Sequence, residues 1–145
     1  MDGRIYTATF NVTAQTAVQD LFQLAPPTNV HCEVLEIVIT WGAGTDERAR
    51  IMGHYGSTNG SGGSTPVARA HDQGGPTADT IVEANNTTQS TDGNIVIDRM
   101  HDVRTMFHWL PTPQLQIQVA GADLWQLAME DTITSSEISD RKSVV

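Results

Sequence analysis

The fold is decided by the stretch RARIMGHYGSTNGSGGSTPV, residues 48–67, in which an alternating segment runs directly into a glycine-rich one. In its first part, Ala49, Ile51 and Tyr55 fall on one face of an extended chain and mostly polar side chains on the other. Such alternation over eight residues is typical of a β-strand. The second part, residues 56–67, holds four glycines and five hydroxyl side chains. Ordering it loses much backbone entropy and buries little, so we predict a loop that is mobile or held from outside the fold.

Similar alternating segments recur along the chain, separated by Gly, Pro, Asn and Asp residues. For example, Tyr6, Ala8 and Phe10 share one face of their segment, and Ile37 and Ile39 share one face of theirs. Strands at this density, with no long helices between them, indicate an antiparallel β-sandwich or barrel. The predicted fold class is therefore all-β, with about eight strands, at residues 4–12, 31–41, 48–55, 80–84, 94–100, 105–110, 115–121 and 132–138.

Two segments fit this pattern less well. TAQTAVQDLFQLAPP, residues 13–27, has apolar residues at helical spacing, but Pro26 and Pro27 leave room only for a short helical turn or a strand over residues 20–24. DLWQLAMED, residues 123–131, consists largely of helix formers behind a possible cap at Asp123. We favour a strand for the second segment, because strands are predicted on both sides of it.

The length of 145 residues predicts a single domain that can bury its own core. We assign residues 1–138 to a β-sandwich domain. The last segment, SDRKSVV at residues 139–145, is polar and uncapped. It is expected to be a flexible C-terminal tail, or an arm that becomes ordered on a neighbour.

The formal net charge is −9, with 8 basic and 17 acidic side chains. A surface this acidic repels phosphate backbones, so direct binding of nucleic acid is disfavoured. No apolar run approaches the roughly 18 residues that a membrane span needs, and the first ten residues lack the pattern of a secretory signal. Cys32 is the one cysteine, so an internal disulfide is excluded. We expect Cys32 to act as a small buried apolar side chain.

The residue types that carry catalysis or bind metals do not form a recognisable motif. The five histidines fall in five different segments, and none repeats a known metal-ligand spacing. The glycine-rich loop lacks the lysine of a phosphate-binding loop, and GSGGS lacks the strand and helix that flank a hydrolase elbow. Glu130 and Asp131 are adjacent on a predicted strand, so their side chains point apart. We therefore expect no enzyme, no catalytic residues, no metal site and no cofactor.

Four segments in chain order carry a resemblance: AVQDLFQLAPP at 17–27, GSTNGSGGSTPV at 56–67, TIVEANNTTQSTDG at 80–93 and FHWLPTPQLQIQVAGADLWQLAM at 107–129. Together they resemble a group of small β-sandwich proteins encoded among the virion structural genes of tailed bacteriophages and prophages. SGGSTP, VEANNTT and WLPTP are the most specific pieces. The chain departs from the group in VARAHDQGGPTAD, residues 67–79, which is poorer in proline, and in the final segment, residues 133–145.

The resemblance implies a jelly-roll-like sandwich on the outer surface of a phage head, in the virion, assembled in the host cytoplasm. Its role would be that of a capsid decoration (cement) protein that binds the major capsid protein and bridges neighbouring subunits, with no membrane partner. Such proteins are commonly trimers, so a homotrimer is favoured. The expected contacts with the capsid or a neighbouring protomer lie in two polar loops: Ser57, Thr58, Asn59, Ser61, Ser64, Thr65, Asn85, Asn86, Thr87 and Thr88.

Two alternatives remain open from the sequence. The first is another virion component, such as a neck, tail or fibre-base protein, which would be present in few copies per particle. The second is a carbohydrate-binding sandwich, which needs exposed aromatic rings on which sugars can stack. Its candidates are Trp41, Trp109 and Trp125.

Overall fold

The computed structural model of the protein describes residues 4–12, 18–41, 47–131 and 138–144. Over these residues the chain forms twelve strands: β1 Tyr6–Val12, β2 Gln19–Ala25, β3 Cys32–Val34, β4 Glu36–Trp41, β5 Arg48–Gly56, β6 Arg69–Ala70, β7 Ile81–Asn86, β8 Asp92–Asp102, β9 Phe107–Trp109, β10 Ile117–Val119, β11 Leu124–Met129 and β12 Ile138–Val144. A single 3₁₀ turn, Pro113–Leu115, is the one helical element within them. None of the described part of the chain forms a helix long and apolar enough to cross a membrane.

The strands form two five-stranded sheets and one two-stranded sheet, and their pairings are antiparallel. Sheet A has the order β6-β1-β12-β4-β9 and sheet B the order β7-β2-β11-β5-β8. The small sheet pairs β10 with β3. Non-consecutive strands are neighbours throughout both large sheets, so the fold depends on contacts between residues far apart in sequence.

The two large sheets contribute to one hydrophobic core. Ala8 and Ile37 of sheet A belong to the same buried cluster as Phe22 and Trp125 of sheet B. The ring of Phe10 in β1 stacks on Phe22 with 5.8 Å between ring centroids, and Phe22 meets Trp125 edge to face at 6.5 Å. Aromatic pairs of this kind add to the burial of their apolar area, so the core fixes how the two sheets pack.

The all-β prediction is confirmed, and both ambiguous segments are strands. Residues 19–25 form β2 and residues 124–129 form β11. The structure has more strands than the eight predicted, because the two ambiguous segments add β2 and β11, the segment at 31–41 supplies both β3 and β4, and the two-residue β6 is too short to show a period. The single strand predicted at 31–41 is interrupted at Leu35 and supplies strands to two different sheets. Of the strand predicted at 132–138, residues 132–137 lie outside the described residues.

Residues 139–144 lie in the segment predicted to be a flexible tail or an arm. These residues belong to β12, which lies between β1 and β4 in sheet A. A strand flanked on both sides is held by backbone hydrogen bonds, which do not depend on apolar side chains.

Burial on both faces explains why β2 and β11 lack a clear alternation. All six residues of β11 are buried, and in β2 only Ala25 is partly exposed. A strand whose two faces are both covered shows no polar face in its sequence. One face packs in the shared core, and the other lies under the glycine-rich segment described next.

Candidate functional site

The glycine-rich segment is held by its own chain. Ser61 and Thr88 exchange two backbone hydrogen bonds of 3.0 Å, and Ser64 and Ala84 exchange two of 2.9 and 2.8 Å. These bonds attach the segment to β7 and to the residues that follow β7. We call residues 57–65 and 87–91 together the loop platform. The sequence predicted a loop that is either mobile or held by something outside the fold. In the structure, hydrogen bonds to other residues of the same chain hold it.

Two glycines allow the platform to lie this close to the sheet. Gly62 has a φ of +83°, a conformation that other residues adopt only with strain. A Cβ atom on Gly60 would lie 2.5 Å from Nδ2 of Asn86 and 2.8 Å from Oδ2 of Asp20. In the structure the close approach is made to the chain's own sheet B.

Beneath the platform lies a layer of buried polar side chains, which we call the polar layer. Its members come from four different parts of the chain, and each is at most 6% exposed. Strand pairing places them side by side, since Gln126 is paired with Gln23 on one side and His54 on the other, and Asn86 is paired with Asp20. The members are Asp20, Gln23, His54, Asn86 and Gln126, joined by the buried side chain of the platform residue Ser90.

Directional hydrogen bonds join the polar layer to both segments of the platform. Oε1 of Gln23 accepts a bond of 2.9 Å from the backbone N–H of Gly60. Oδ2 of Asp20 accepts one of 2.8 Å from the backbone N–H of Ser90, and Nε2 of Gln126 donates to Oγ of Ser90. Since buried polar groups are stable only when hydrogen-bonded, these bonds fix the position of the platform over the sheet.

Burial also changes the electrostatics of this layer. Loss of solvent raises the pKa of the Asp20 carboxyl above its ordinary value, while hydrogen bonds from Ser90 and the neighbouring His54 oppose the rise. Three further acceptors, Oδ1 of Asp20, Oδ1 of Asn86 and Oε1 of Gln126, are buried and have no hydrogen-bond donor among the described residues. A neutral Asp20 supplies a donor hydrogen that a charged one lacks.

The structure brings most of the predicted contact residues together on the platform surface. Asn85 is half-buried, has a φ of +59°, and its Oδ1 accepts a hydrogen bond from Nε2 of Gln19. Asn86 is 1% exposed and belongs to the polar layer, so its side chain is not available to a partner. It lies beneath the platform instead. The remaining eight are exposed on the platform: Ser57, Thr58, Asn59, Ser61, Ser64, Thr65, Thr87 and Thr88.

The platform surface is uncharged although the chain as a whole is strongly acidic. No acidic or basic residue occurs at positions 57–65 or 87–91, whereas the formal net charge is −9. The two segments are also joined across the surface, because Thr58 Oγ1 accepts a 3.2 Å bond from the backbone N–H of Thr91. The result is a neutral, hydrogen-bonding patch with a fixed shape.

The polar layer was missed by the sequence analysis. Gln23 within LFQL and Gln126 within LWQL each interrupt an otherwise apolar strand, which is a usable signal for a covered polar site. Asp20 and His54 give no such signal, because their burial depends on the platform that covers them.

Other kinds of site have little support in the described residues. No group of three His, Cys, Asp or Glu side chains converges there as a metal ion would need. Every aromatic residue of the chain is described, and none is exposed. Trp125 and Trp109 are buried, and Trp41 is half-buried against His101 at 6.1 Å between ring centroids. Two of the three tryptophans are therefore buried, and the third is partly covered by His101.

Comparison with protein-family models, with curated proteins and with solved structures finds no match.

Proposed function

We propose that the protein is a capsid decoration protein that uses the loop platform to attach to the outer surface of a tailed-phage head. The observation that carries this proposal is that two polar loops, far apart in the sequence, form one neutral surface that is braced from below by the polar layer. The sequence resemblance supplies the class of partner, the major capsid protein. We also propose that the two large sheets form the jelly-roll-like sandwich that the resemblance implies.

The physics of adhesion fits such a surface. A platform that is already ordered loses little conformational entropy when it binds, so more of its interaction energy appears as affinity. Hydroxyl and amide groups offer hydrogen bonds without the desolvation penalty of buried charges. When many copies attach to one shell, small individual interfaces give a large total stabilisation of the joints between subunits.

In this proposal the protein makes and breaks no covalent bond. It acts at the outside of the capsid as a bridge between neighbouring subunits. The acidic charge of −9 favours this location, because it repels free copies from the phage DNA during assembly.

A homotrimer is part of the same proposal and is supported by the free edge of sheet B. Strand β8 ends that sheet and, among the described residues, pairs with β5 alone. Its side chains Ile95, Val96 and Met100 are 48–62% exposed. A long strand with exposed apolar side chains is a surface that pairs with another chain. Light scattering coupled to size-exclusion chromatography measures the oligomer, and Met100→Lys should reduce it.

The attachment itself is tested with phage heads stripped of their outer proteins. The purified chain should rebind such heads in many copies, and Thr65→Arg should weaken rebinding about tenfold by placing a bulky charge in the platform. Thr77→Arg is the matched control, because Thr77 is also exposed but lies outside the platform. Equal rebinding by both variants would contradict the platform as the attachment surface. A copy number of only three or six per particle would instead indicate a neck, tail or fibre-base component.

A further inference from the structure

A second concave site lies away from the loop platform, where the edges of the sheets meet. We call it the edge groove. It has a volume of about 480 Å³ and is lined by the start of β1, by β3 with its flanking residues, and by the residues that lead into β6 and β7. Pockets that bind small molecules in proteins typically have volumes of about 300 to 1,000 Å³. The edge groove is therefore large enough to hold a small ligand.

The floor of the edge groove is apolar. Ala68 and Val82 belong to the hydrophobic core and are 5% and 2% exposed, and Tyr6, Cys32 and Ala78 pack against that core from the groove side. A ligand with an apolar body would cover these side chains and remove their remaining surface from water. That is the contribution that drives the binding of apolar groups.

The rim of the edge groove is charged and has more acidic than available basic groups. Arg4 lies 3.9 Å from Asp72, so its charge already has a counterion. Glu33 takes part in one long hydrogen bond, 3.4 Å from Nε2 of Gln118, and no ion pair involves Asp79 in the described part of the chain. His31 completes the charged or titratable rim. Two carboxylates on this rim, together with one arginine that is already ion-paired to Asp72, favour a positively charged ligand group.

We propose that the edge groove binds a small amphipathic cation, with its apolar body on the floor and its ammonium group at Glu33 and Asp79. This site is independent of capsid attachment, because it shares no residue with the loop platform. Binding involves no covalent step. The groove should bind the cation more tightly than an equally apolar neutral molecule. Because the carboxylates are exposed, this difference in affinity is modest, on the order of fivefold.

Cys32 supplies a direct probe of occupancy. It is the one cysteine of the chain, it lines the groove, and it is only partly buried. Burial raises the pKa of its thiol to about 11, so alkylation is slow and its rate is easily followed by mass spectrometry. A molecule in the groove covers the sulfur and slows alkylation by iodoacetamide further.

The experiment compares three probes that share one ring and a similar chain: 2-phenylethylamine, 2-phenylethanol and phenylacetate. At pH 8 the amine should protect Cys32 at the lowest concentration, the alcohol at about fivefold higher, and the carboxylate least. Amide chemical-shift changes in the presence of the amine should map to residues of the groove such as Ile5, Cys32 and Val82. This second measurement separates occupancy from a general stabilisation of the fold.

Asp79→Asn tests the charge preference directly. It should raise the apparent dissociation constant of the amine about threefold and leave that of the alcohol unchanged. Asp123→Asn is the matched control, since Asp123 is equally an exposed aspartate but lies outside the groove. Lack of protection by the amine at millimolar concentration, shift changes only outside the groove, equal protection by all three probes, or a preference for the carboxylate would each overturn the proposal. Rebinding to stripped heads is unaffected by these outcomes, so the two proposals fail separately.

Discussion

Sheet B has one face in the apolar core and the other under the polar layer, and the two faces are held by different physics. In the core, Phe22, Ile51 and Trp125 pack without directional bonds. Under the platform, Gln23 and Asp20 hold the chain above them by hydrogen bonds of 2.9 and 2.8 Å. Apolar burial tolerates rearrangement of partners, whereas a buried hydrogen bond depends on both atoms being in place. The difference shows how one sheet can combine a stable fold with a precisely positioned surface.

The largest effect is expected on the core face. Trp125→Ala removes a side chain that is 0% exposed and leaves a cavity between the sheets. The free energy of unfolding should fall by about 3–5 kcal/mol, measured by urea denaturation. Leu115→Ala is the control, because Leu115 is 70% exposed and its loss should matter little. Similar effects for the two variants would show that this face is not the main source of stability.

A smaller effect is expected where the platform meets the polar layer. Gly60→Ala introduces a Cβ atom 2.5 Å from Nδ2 of Asn86 and 2.8 Å from the Thr88 carbonyl oxygen. The clash should lower the free energy of unfolding by about 1–3 kcal/mol. It should also speed hydrogen exchange at the Ser61 and Ser64 amides, measured by NMR.

Ser61→Ala is the matched control for this prediction. The Ser61 side chain is exposed, so its removal should change the free energy of unfolding by less than about 0.5 kcal/mol. The exchange rates of the Ser61 and Ser64 amides should stay the same as in the parent chain. Fast exchange at these amides in the parent chain would contradict a platform that is fixed by its hydrogen bonds.

The charge state of Asp20 makes the stability of the polar-layer face of sheet B depend on pH, whereas the apolar core face has no such carboxyl among its described residues. Because burial raises the pKa of Asp20 in the folded state above 3.8, the folded chain binds the proton more tightly than the unfolded chain. The contribution of Asp20 to stability is therefore fully present below pH 3.8 and is lost as the pH rises through the raised value. Asp20→Asn keeps the acceptor for Ser90 and removes the charge, so it should stabilise the fold at pH 7 by about 1 kcal/mol.

The measurement is urea unfolding of both chains from pH 3 to pH 7. The difference between the curves should grow with pH, while Asp123→Asn, at an exposed position, should show no such trend. A difference that grows as the pH falls would mean that Asp20 is stabilised in its charged form, contrary to the raised pKa.

The smallest effect is expected for a polar contact that no platform covers. Arg50 in β5 donates bonds of 2.8 and 2.7 Å to the two carboxylate oxygens of Asp98 in β8, and this pair lowers the pKa of Asp98. Water and salt screen such exposed pairs. Asp98→Asn should therefore lower the melting temperature less than the two destabilising variants above, and 1 M NaCl should abolish the difference. A larger effect on the melting temperature would show that burial does not explain why the covered polar contacts stabilise the fold more than the exposed one.

The sequence predicted well wherever one face of a strand is apolar and the other exposed. In β1, Ala8 is buried and Tyr6 and Phe10 pack on the core, as their alternation indicated. It predicted poorly where both faces are covered, as in β2, or where a strand has only two residues, as in β6. It gave no sign that residues 139–144 pair with β1 and β4, because those partners are far away in the sequence.

The candidate site divides in the same way. Composition alone predicted a loop at residues 57–65, because hydroxyl-rich, glycine-rich segments do not pack into cores, and Thr58 and Thr65 are exposed there. Their role as contact residues came from the resemblance. The polar layer was not predicted, since Asp20 is buried beneath platform residues that lie 37 or more positions away in the sequence.

By itself the sequence determined the all-β class, the buried faces of β1 and β4, the acidic charge and the uncharged character of residues 57–65 and 87–91. These properties are local, because they depend on the period and composition of short segments. Only the tertiary structure decided that the glycine-rich segment lies on its own sheet, that Asn86 points inward, and that the edge groove exists. Each of these requires strands far apart in the sequence to come together, and pairing of distant backbones leaves no periodic trace in any one segment.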